Sequence, residues 1–283
     1  MTEQFTTING IKICYDIHGD GYPVILIHGF SDRKEHWRAQ VGELSKHFKV
    51  IRLDNRGAGK SDRPEGEYSM EIYASDVAGL MDFLGFEKSH IIGHSMGGMI
   101  AQNFTLMYPK KVNKLVLINT LAGMALPGVP TEKAFEIYRE SAIEDVKTLR
   151  EDPLNNFLKS AKRSYSREFY KQLVAEPKKK FHGMWSVEDL VEEKTKYGPT
   201  EKDIDNLIAA FKTHNTYERL HEIKNKTLII AAEKDKSCSV PMNIKIHELI
   251  SNSKFIIIRN AAHQSILEKA PEINKIIIDF LKS

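Results

Sequence analysis

The sequence predicts an α/β fold, in which a mostly parallel sheet is flanked by helices and interrupted by one helical insertion. Short apolar runs that are typical of buried strands alternate with helix-like stretches along most of the chain. The alternation stops at about residue 122 and resumes after about residue 220, and the stretches between are rich in Lys and Glu. We therefore predict one core formed by residues 1–121 and 221–283, and a helical segment formed by residues 122–220.

The first predicted element is a hairpin. β-branched residues before and after Asn9-Gly10 make the segment Thr6–Tyr15 the strongest hairpin candidate, because Asn-Gly favours a tight turn between antiparallel strands. Runs typical of buried strands follow at Pro23–Ile27 and Lys49–Leu53. The sheet is therefore expected to start antiparallel and to become parallel afterwards.

A serine between glycines follows the next predicted strand. The run Ser89–Ile92 leads into Gly93–Gly98, which reads G-H-S-M-G-G, and a helix-like stretch begins at Met99. This order is typical of a nucleophile elbow, a strained turn that presents a serine hydroxyl at the top of a sheet. We predict that Ser95 is a nucleophile. The alternative is an ordinary serine in a glycine-rich turn.

A carboxylate and a histidine follow two later predicted strands. Glu233 and Asp235 come after Lys226–Ala232, and His263 comes after Lys254–Arg259. A nucleophilic serine needs a base and a carboxylate that orients the base, and such groups gather at the carboxyl ends of parallel strands. We predict His263 as base and Asp235 as acid. Glu233 is the alternative acid, but it lies nearer the strand, and the acid must reach the histidine.

Backbone N–H groups are the expected oxyanion ligands. Met96 follows the nucleophile directly, and Phe30 lies in the loop after the strand at Pro23–Ile27, where Gly29 would let the backbone approach a substrate. We predict that the N–H groups of Phe30 and Met96 form an oxyanion hole. His94, although next to the nucleophile, is expected to be structural.

In these motifs the chain resembles the α/β-hydrolase fold family, and within it the branch of compact serine esterases, lactonases and peroxidase-like enzymes. The matching residues are His28–Phe30, Asp54–Asp62, Gly93–Gly98, Asp235, His263 and Leu267–Glu272. The resemblance implies eight strands, a Ser-His-Asp triad, and a helical cap formed by the insertion over the active site. It also implies that the loop Asp54–Asp62 supports the floor of the site and takes no part in chemistry.

Sequence differences from related enzymes reduce the number of reactions that this chain is expected to catalyse. Haloalkane dehalogenases and soluble epoxide hydrolases resemble this sequence but carry an aspartate where Ser95 stands, which disfavours both reactions. Carbon–carbon bond hydrolases usually have more glycines and a proline after the His-Gly pair, and cofactor-free peroxidases have a proline soon after the aromatic residue. The stretch Phe30–Arg33 reads F-S-D-R and has neither feature.

Aromatic residues of the insertion are candidates for an acyl pocket, although most of those at helical spacing are expected to pack against the core. The residues that we predict to line the pocket are Met124, Phe181, Met184 and Trp185.

Composition excludes several classes of partner. The chain of 283 residues has 41 basic and 38 acidic residues, which gives no bulk attraction to nucleic acid, and no apolar run approaches the roughly 18 residues of a membrane span. Cys14 and Cys238 lie far apart in the sequence, and their spacing matches neither a disulfide framework nor a metal-binding motif. The N-terminal residues lack the features of a signal peptide, so we expect a cytoplasmic chain without metal or cofactor.

The combined pattern predicts a carboxylesterase that acts on small to medium acyl esters. A lactonase or enol-lactonase with the same triad is the alternative within enzymes. A non-catalytic ligand receptor on the same fold is the alternative outside them. A peptidase or amidase is disfavoured, because nothing in the sequence indicates a site for a free amino terminus. The expected partner is therefore a small-molecule ester or lactone, and the sequence does not indicate an oligomeric state.

Overall fold

A computed structural model describes residues 3–123 and 131–283 of the chain. Its strands are β1 (Gln4–Ile8), β2 (Ile11–His18), β3 (Pro23–Ile27), β4 (Lys49–Leu53), β5 (Ser89–His94), β6 (Val112–Ile118), β7 (Lys226–Ala232) and β8 (Ser253–Ile258). They form one eight-stranded sheet in the order β1-β2-β4-β3-β5-β6-β7-β8. The first three strands in this order pair antiparallel, and all later neighbours pair parallel. This confirms the predicted fold class.

The turn at Asn9-Gly10 explains the antiparallel start. Both residues have positive φ, +51° at Asn9 and +78° at Gly10, as a two-residue hairpin turn requires. The register that follows pairs Ile8 with Ile11 and continues to Gln4 with Tyr15.

The helices before the insertion are α1 (Arg38–Leu44), α2 (Met70–Phe83) and α3 (Met96–Met107), and those after it are α9 (Val240–Leu249), α10 (Ser265–Glu268) and α11 (Ala270–Lys282). Successive residues of the central strands point to opposite faces of the sheet. Ile25 and Ile91 join a core cluster with α2 and α3, whereas Leu26 and Ile92 join a second cluster with α1 and α11. Both faces are therefore covered, which accounts for the continuous apolar runs of the parallel strands.

Between β6 and β7 the described residues form five α-helices, which we call the inserted helices. They are α4 (Thr131–Glu151), α5 (Pro153–Ser164), α6 (Arg167–Ala175), α7 (Val187–Tyr197) and α8 (Glu201–Thr213). Side-chain oxygens accept backbone N–H groups at the starts of α5 to α8, and α7 and α8 each carry a full capping box. Within the described ranges, no helix is long and apolar enough to cross a lipid bilayer.

Candidate active site

Ser95 occupies a strained turn between β5 and α3. Its φ of +55° and ψ of −122° are unfavourable for a residue with a side chain. The surrounding glycines make this turn sterically accessible. A Cβ on Gly97 would lie 2.0 Å from the Ile27 carbonyl oxygen, and one on Gly93 would lie 2.2 Å from the Gly97 carbonyl oxygen. The turn therefore needs glycine on both sides of the serine.

The structure brings Ser95, His263 and Asp235 together in a chain of hydrogen bonds. His263 Nε2 lies 3.0 Å from Ser95 Oγ, and His263 Nδ1 lies 2.8 Å from Asp235 Oδ2. Since a carboxylate only accepts, Nδ1–H donates to Asp235, and Nε2 is left to accept the serine proton. The geometry is that of a nucleophile, a base and an orienting acid.

Backbone donors fix the second oxygen of Asp235. Its Oδ1 accepts from the N–H groups of Ser237 at 2.8 Å and Cys238 at 2.9 Å. Glu233, the alternative acid, turns away from the histidine and accepts from the Asn260 N–H at 2.9 Å. The contacts therefore favour Asp235 as the acid.

The histidine and the carboxylate shift each other's protonation. Burial alone would lower the pKa of His263, but the charge and hydrogen bond of Asp235 outweigh burial and hold that pKa above the ordinary 6.5. Burial would likewise raise the pKa of Asp235, yet His263 and the two backbone donors keep it below 3.8. Asp235 is therefore a carboxylate at every pH at which His263 titrates.

Two polar side chains hold the backbone of His263, and sequence reasoning did not identify this role. His94 Nε2–H donates to the His263 carbonyl oxygen at 2.9 Å, and Asn119 Nδ2 donates to the same oxygen at 2.8 Å. Asn119 Oδ1 also accepts from the Ala232 N–H at 2.8 Å, which ties the ends of three strands together. The available signal for Asn119 was its position directly after β6, at the same sheet edge as the other site residues.

His94, which the sequence predicts to be structural, is buried and neutral. Burial lowers its pKa to about 3, and the neighbouring charges of His263 and His36 act in the same direction. The rings of His94 and His36 stack with centroids 5.3 Å apart. His94 can therefore keep donating to the His263 carbonyl without adding a positive charge beside the base.

Phe30 and Met96, the two predicted oxyanion donors, lie in the loop after β3 and at the start of α3. In the described ranges, neither Phe30 N–H nor Met96 N–H donates to another group of the protein. A Cβ on Gly29 would lie 3.2 Å from Ser95 Cβ, so this loop runs close to the serine. His28 anchors the loop, since its Nδ1–H donates to the Gly29 carbonyl at 2.9 Å and its Nε2 accepts from the Asn55 N–H at 3.0 Å.

A cavity of about 570 Å³ opens above Ser95, between the core and the inserted helices. The apolar residues of its lining include Phe30, Met99, Leu121, Ala134, Tyr138, Ala142, Val146, Phe211 and Met242. The charged residues of its lining include Asp32, Arg33, Arg38, Asp145, Arg163, Glu193 and Lys194. The Phe30 ring lies 5.3 Å from the Tyr138 ring and 5.2 Å from the Phe211 ring, centroid to centroid. The inserted helices α4 and α8 thus build the wall beside Phe30.

The prediction that Phe181, Met184 and Trp185 line the pocket is wrong for this cavity, whose described lining contains none of the three. Trp185 is completely buried, and its ring lies 5.0 Å from the Phe181 ring and 6.0 Å from the Phe169 ring. Met184 packs against the same cluster. These residues therefore form the interior of the inserted helices. Met124, the fourth predicted pocket residue, lies outside the described residues.

Replacing Trp185 with alanine is expected to destabilise the protein by about 3–5 kcal/mol, because it removes a fully buried indole from a packed aromatic cluster. Urea denaturation followed by circular dichroism measures this loss. Met184→Ala is the matched control, and its smaller side chain is only partly buried. A loss below about 1 kcal/mol together with an altered acyl-chain preference would place Trp185 in the cavity wall after all.

The loop that carries His263 is also bonded to the inserted helices. Gln264 N–H donates to the Ser164 carbonyl at 2.8 Å. The buried Glu268 carboxylate accepts from the N–H groups of Ala262 and Ser166, each at 3.2 Å. The residues on both sides of His263 are thus joined to the junction between α5 and α6.

This chain belongs to the α/β-hydrolase fold family, whose model, described as alpha/beta hydrolase fold, matches residues 22–270. A 2-hydroxy-6-oxononadienedioate/2-hydroxy-6-oxononatrienedioate hydrolase from Comamonas testosteroni is 28% identical over 300 residues, which cover 99% of this chain and 96% of the relative. The chain spans only about a third of the length of the curated mycobacterial relatives that it matches, with 36% identity over 118 residues that cover 42% of this chain and 35% of each relative.

Solved structures show the same fold over the whole chain. An enol-lactonase from Burkholderia xenovorans LB400 has a TM-score of 0.81 at 24% identity and covers 99% of this chain and 100% of its own. A thermophilic esterase from Thermogutta terrifontis has a TM-score of 0.81 at 24% identity and covers 100% of this chain and 98% of its own. These similarities establish the fold alone.

Proposed function

We propose that this protein is a serine hydrolase that cleaves carboxylic esters of small to medium acyl chain through an acyl-enzyme. The observation that carries the proposal is the hydrogen-bonded chain from Ser95 through His263 to Asp235, with distances of 3.0 Å and 2.8 Å. Membership of the family alone does not choose among hydrolytic reactions. The serine, the free N–H groups and the partly apolar cavity together favour ester chemistry.

Each residue has one role in the proposed reaction. His263 Nε2 takes the proton of Ser95 Oγ, which attacks the ester carbonyl carbon, and the N–H groups of Phe30 and Met96 hold the oxyanion. His263 then gives the proton to the leaving alkoxide. A water molecule replaces the alcohol, loses a proton to the same nitrogen, and attacks the acyl-enzyme carbonyl. The bond between the acyl carbon and Ser95 Oγ then breaks, His263 returns the proton to Ser95 Oγ, and the carboxylic acid leaves. Asp235 keeps the imidazole in the required tautomer throughout. None of these steps calls for a metal or an organic cofactor.

The inserted helices act in this proposal as a cap that sets the size of the acyl group. The cavity volume of about 570 Å³ falls in the range of small-molecule sites, and helices α4 and α8 supply aromatic side chains to its apolar side. A substrate with an apolar acyl chain would bury that chain against Tyr138 and Phe211 while its carbonyl faces the oxyanion donors.

A substrate panel tests the function. Purified protein is assayed with p-nitrophenyl esters from acetate to dodecanoate and with γ- and δ-lactones, with Ser95→Ala as the control. Ester turnover that depends on Ser95 and favours short to medium chains is the expected result. Turnover of lactones alone would make the protein a lactonase. Binding without turnover of any substrate would indicate a receptor and would refute the proposal.

The pH dependence of kcat/KM for a neutral ester is expected to rise with pH and to level off only above 6.5. His263 must be neutral to accept a proton, and Asp235 holds its pKa above the ordinary 6.5, so the base is protonated and inactive below that range. Initial rates from about pH 5 to about pH 10 measure the midpoint. A midpoint at or below 6.5 would show that Asp235 does not raise the pKa of the base.

A further inference from the structure

Three side chains of different donor type lie close together, and two of them, Cys238 and His263, line the cavity. They are the Asp235 carboxylate, the Cys238 thiol and the His263 imidazole, and one ligating atom of each lies within 4.8 Å of the other two. Asp235 is only 5% exposed and Cys238 only 3% exposed. The proposed acyl-transfer steps use Asp235 and His263 but give no role to the Cys238 thiol.

We propose that Asp235, Cys238 and His263 form a binding site for a thiophilic divalent ion such as Zn²⁺ or Cd²⁺, and that the bound ion inhibits the enzyme. Thiolate, imidazole and carboxylate are the ligand types that Zn²⁺ takes in proteins, whereas Mg²⁺ and Ca²⁺ take oxygen ligands. Metal–ligand bonds of about 2.0–2.3 Å hold tetrahedral ligand atoms roughly 3.3–3.8 Å apart, so only small shifts are needed.

Charge balance supports the site. The Asp235 carboxylate and a Cys238 thiolate together carry two negative charges, which neutralise a divalent cation and reduce the cost of burying it. Asp235 is already oriented for this role, because its Oδ1 is held by the N–H groups of Ser237 and Cys238 and its Oδ2 faces the imidazole. Cys238 and His263 both line the cavity, so an ion has a route to them, and a water molecule completes the tetrahedron.

The position of the ion explains the inhibition. His263 Nδ1 lies 2.8 Å from Asp235 Oδ2, so the ion takes the place of the proton between these two atoms. On binding, the Cys238 thiol releases its proton to solvent, and the single proton of the neutral imidazole moves from Nδ1 to Nε2. Nε2–H then donates to Ser95 Oγ and has no lone pair with which to accept the serine proton. The inhibition rests on the proposed function, whereas the metal binding does not.

Titration with Zn²⁺ and Cd²⁺ tests this inference. Zn²⁺ is expected to inhibit hydrolysis of p-nitrophenyl butyrate by the wild-type protein reversibly. Mg²⁺ at the same concentration is not expected to inhibit it. Cys238→Ala should reduce the sensitivity to Zn²⁺ by about tenfold or more, relative to its own metal-free rate, because one ligand is lost. Cys14→Ala is the matched control, since it removes the other buried thiol and should keep full sensitivity.

A spectroscopic measurement separates metal binding from activity. Cd²⁺ is expected to give a thiolate-to-cadmium charge-transfer band in the ultraviolet with the wild-type protein, Ser95→Ala and Cys14→Ala, and none with Cys238→Ala. If Cys238→Ala does not fold, Cys238→Ser takes its place. Equal zinc sensitivity of wild type and the Cys238 variant, or no band in Ser95→Ala, would overturn the site. A band without esterase activity in any preparation would retain the metal site and refute the proposed function.

Discussion

Replacing Ser95 with alanine is expected to lower kcat for p-nitrophenyl butyrate by about 10⁴-fold or more while the protein stays folded. The change removes the oxygen that forms the acyl-enzyme in the proposed reaction but leaves the turn intact, because alanine keeps the Cβ that the turn already accommodates at φ +55°. Burst and steady-state rates measure the loss, and circular dichroism with a thermal melt verifies the fold.

Ser160→Ala is the matched control, because Ser160 lines the same cavity from the inserted helices but is not hydrogen-bonded to His263. This variant should keep its rate and its labelling by a fluorophosphonate, whereas Ser95→Ala should lose both. If purified Ser95→Ala kept more than about a tenth of the wild-type rate, Ser95 would not be the nucleophile.

Asp235→Asn is expected to lower kcat by about 10⁴-fold, because the contacts of Asp235 fix the orientation of the new amide. The N–H groups of Ser237 and Cys238 will hold the amide oxygen in the place of Oδ1, so the amide NH₂ must face His263 Nδ1. Nδ1 then has to accept, the imidazole proton moves to Nε2, and the base can no longer take the serine proton. Steady-state kinetics on the folded variant measures the effect.

Glu233→Gln is the control for Asp235→Asn, because Glu233 is the other carboxylate that follows β7. Its contacts are to the Asn260 N–H and the Arg259 guanidinium, and none of them reaches the histidine. The rate should therefore change by less than about tenfold. A large loss in Glu233→Gln with a small one in Asp235→Asn would reverse the assignment of the acid.

The strands and the meeting of Ser95, Asp235 and His263 at one place were predictable because their positions follow from one rule of parallel sheets. Ser95, Asp235 and His263 each come shortly after the carboxyl end of a strand, and parallel strands bring those ends to one edge. The turn around Ser95 was predictable for a related reason, since only glycine at positions 93 and 97 fits between strand and helix. Short-range sequence signals therefore sufficed for this part of the site.

The wall of the cavity was not predictable, because it depends on how helices without a sheet pack against one another. Trp185 and Tyr138 are both aromatic residues of the insertion, yet one is completely buried within it and the other lines the cavity. Helical spacing does not distinguish these two faces when both are apolar. Asn119 was missed for a different reason: its role is to hold a backbone carbonyl distant in sequence, and a single asparagine carries no sign of that partner.

The bonds between the loop of His263 and the α5–α6 junction limit which parts of this protein can be exchanged with a relative. A chimera cut only at the two ends of the insertion would keep these bonds only if the foreign α5–α6 junction places a backbone carbonyl and a backbone N–H where those of Ser164 and Ser166 lie. The backbone path through residues 164–166 and the Glu268 carboxylate would have to be inherited together as one unit. Helices α4 and α8 contribute side chains to the cavity wall, and this unit includes no residue from either of them. Helix α5 also lines the cavity, through Ser160 and Arg163. Substrate range is therefore expected to diversify most freely through α4 and α8, whereas changes at the α5–α6 junction must preserve its bonds to the loop of His263.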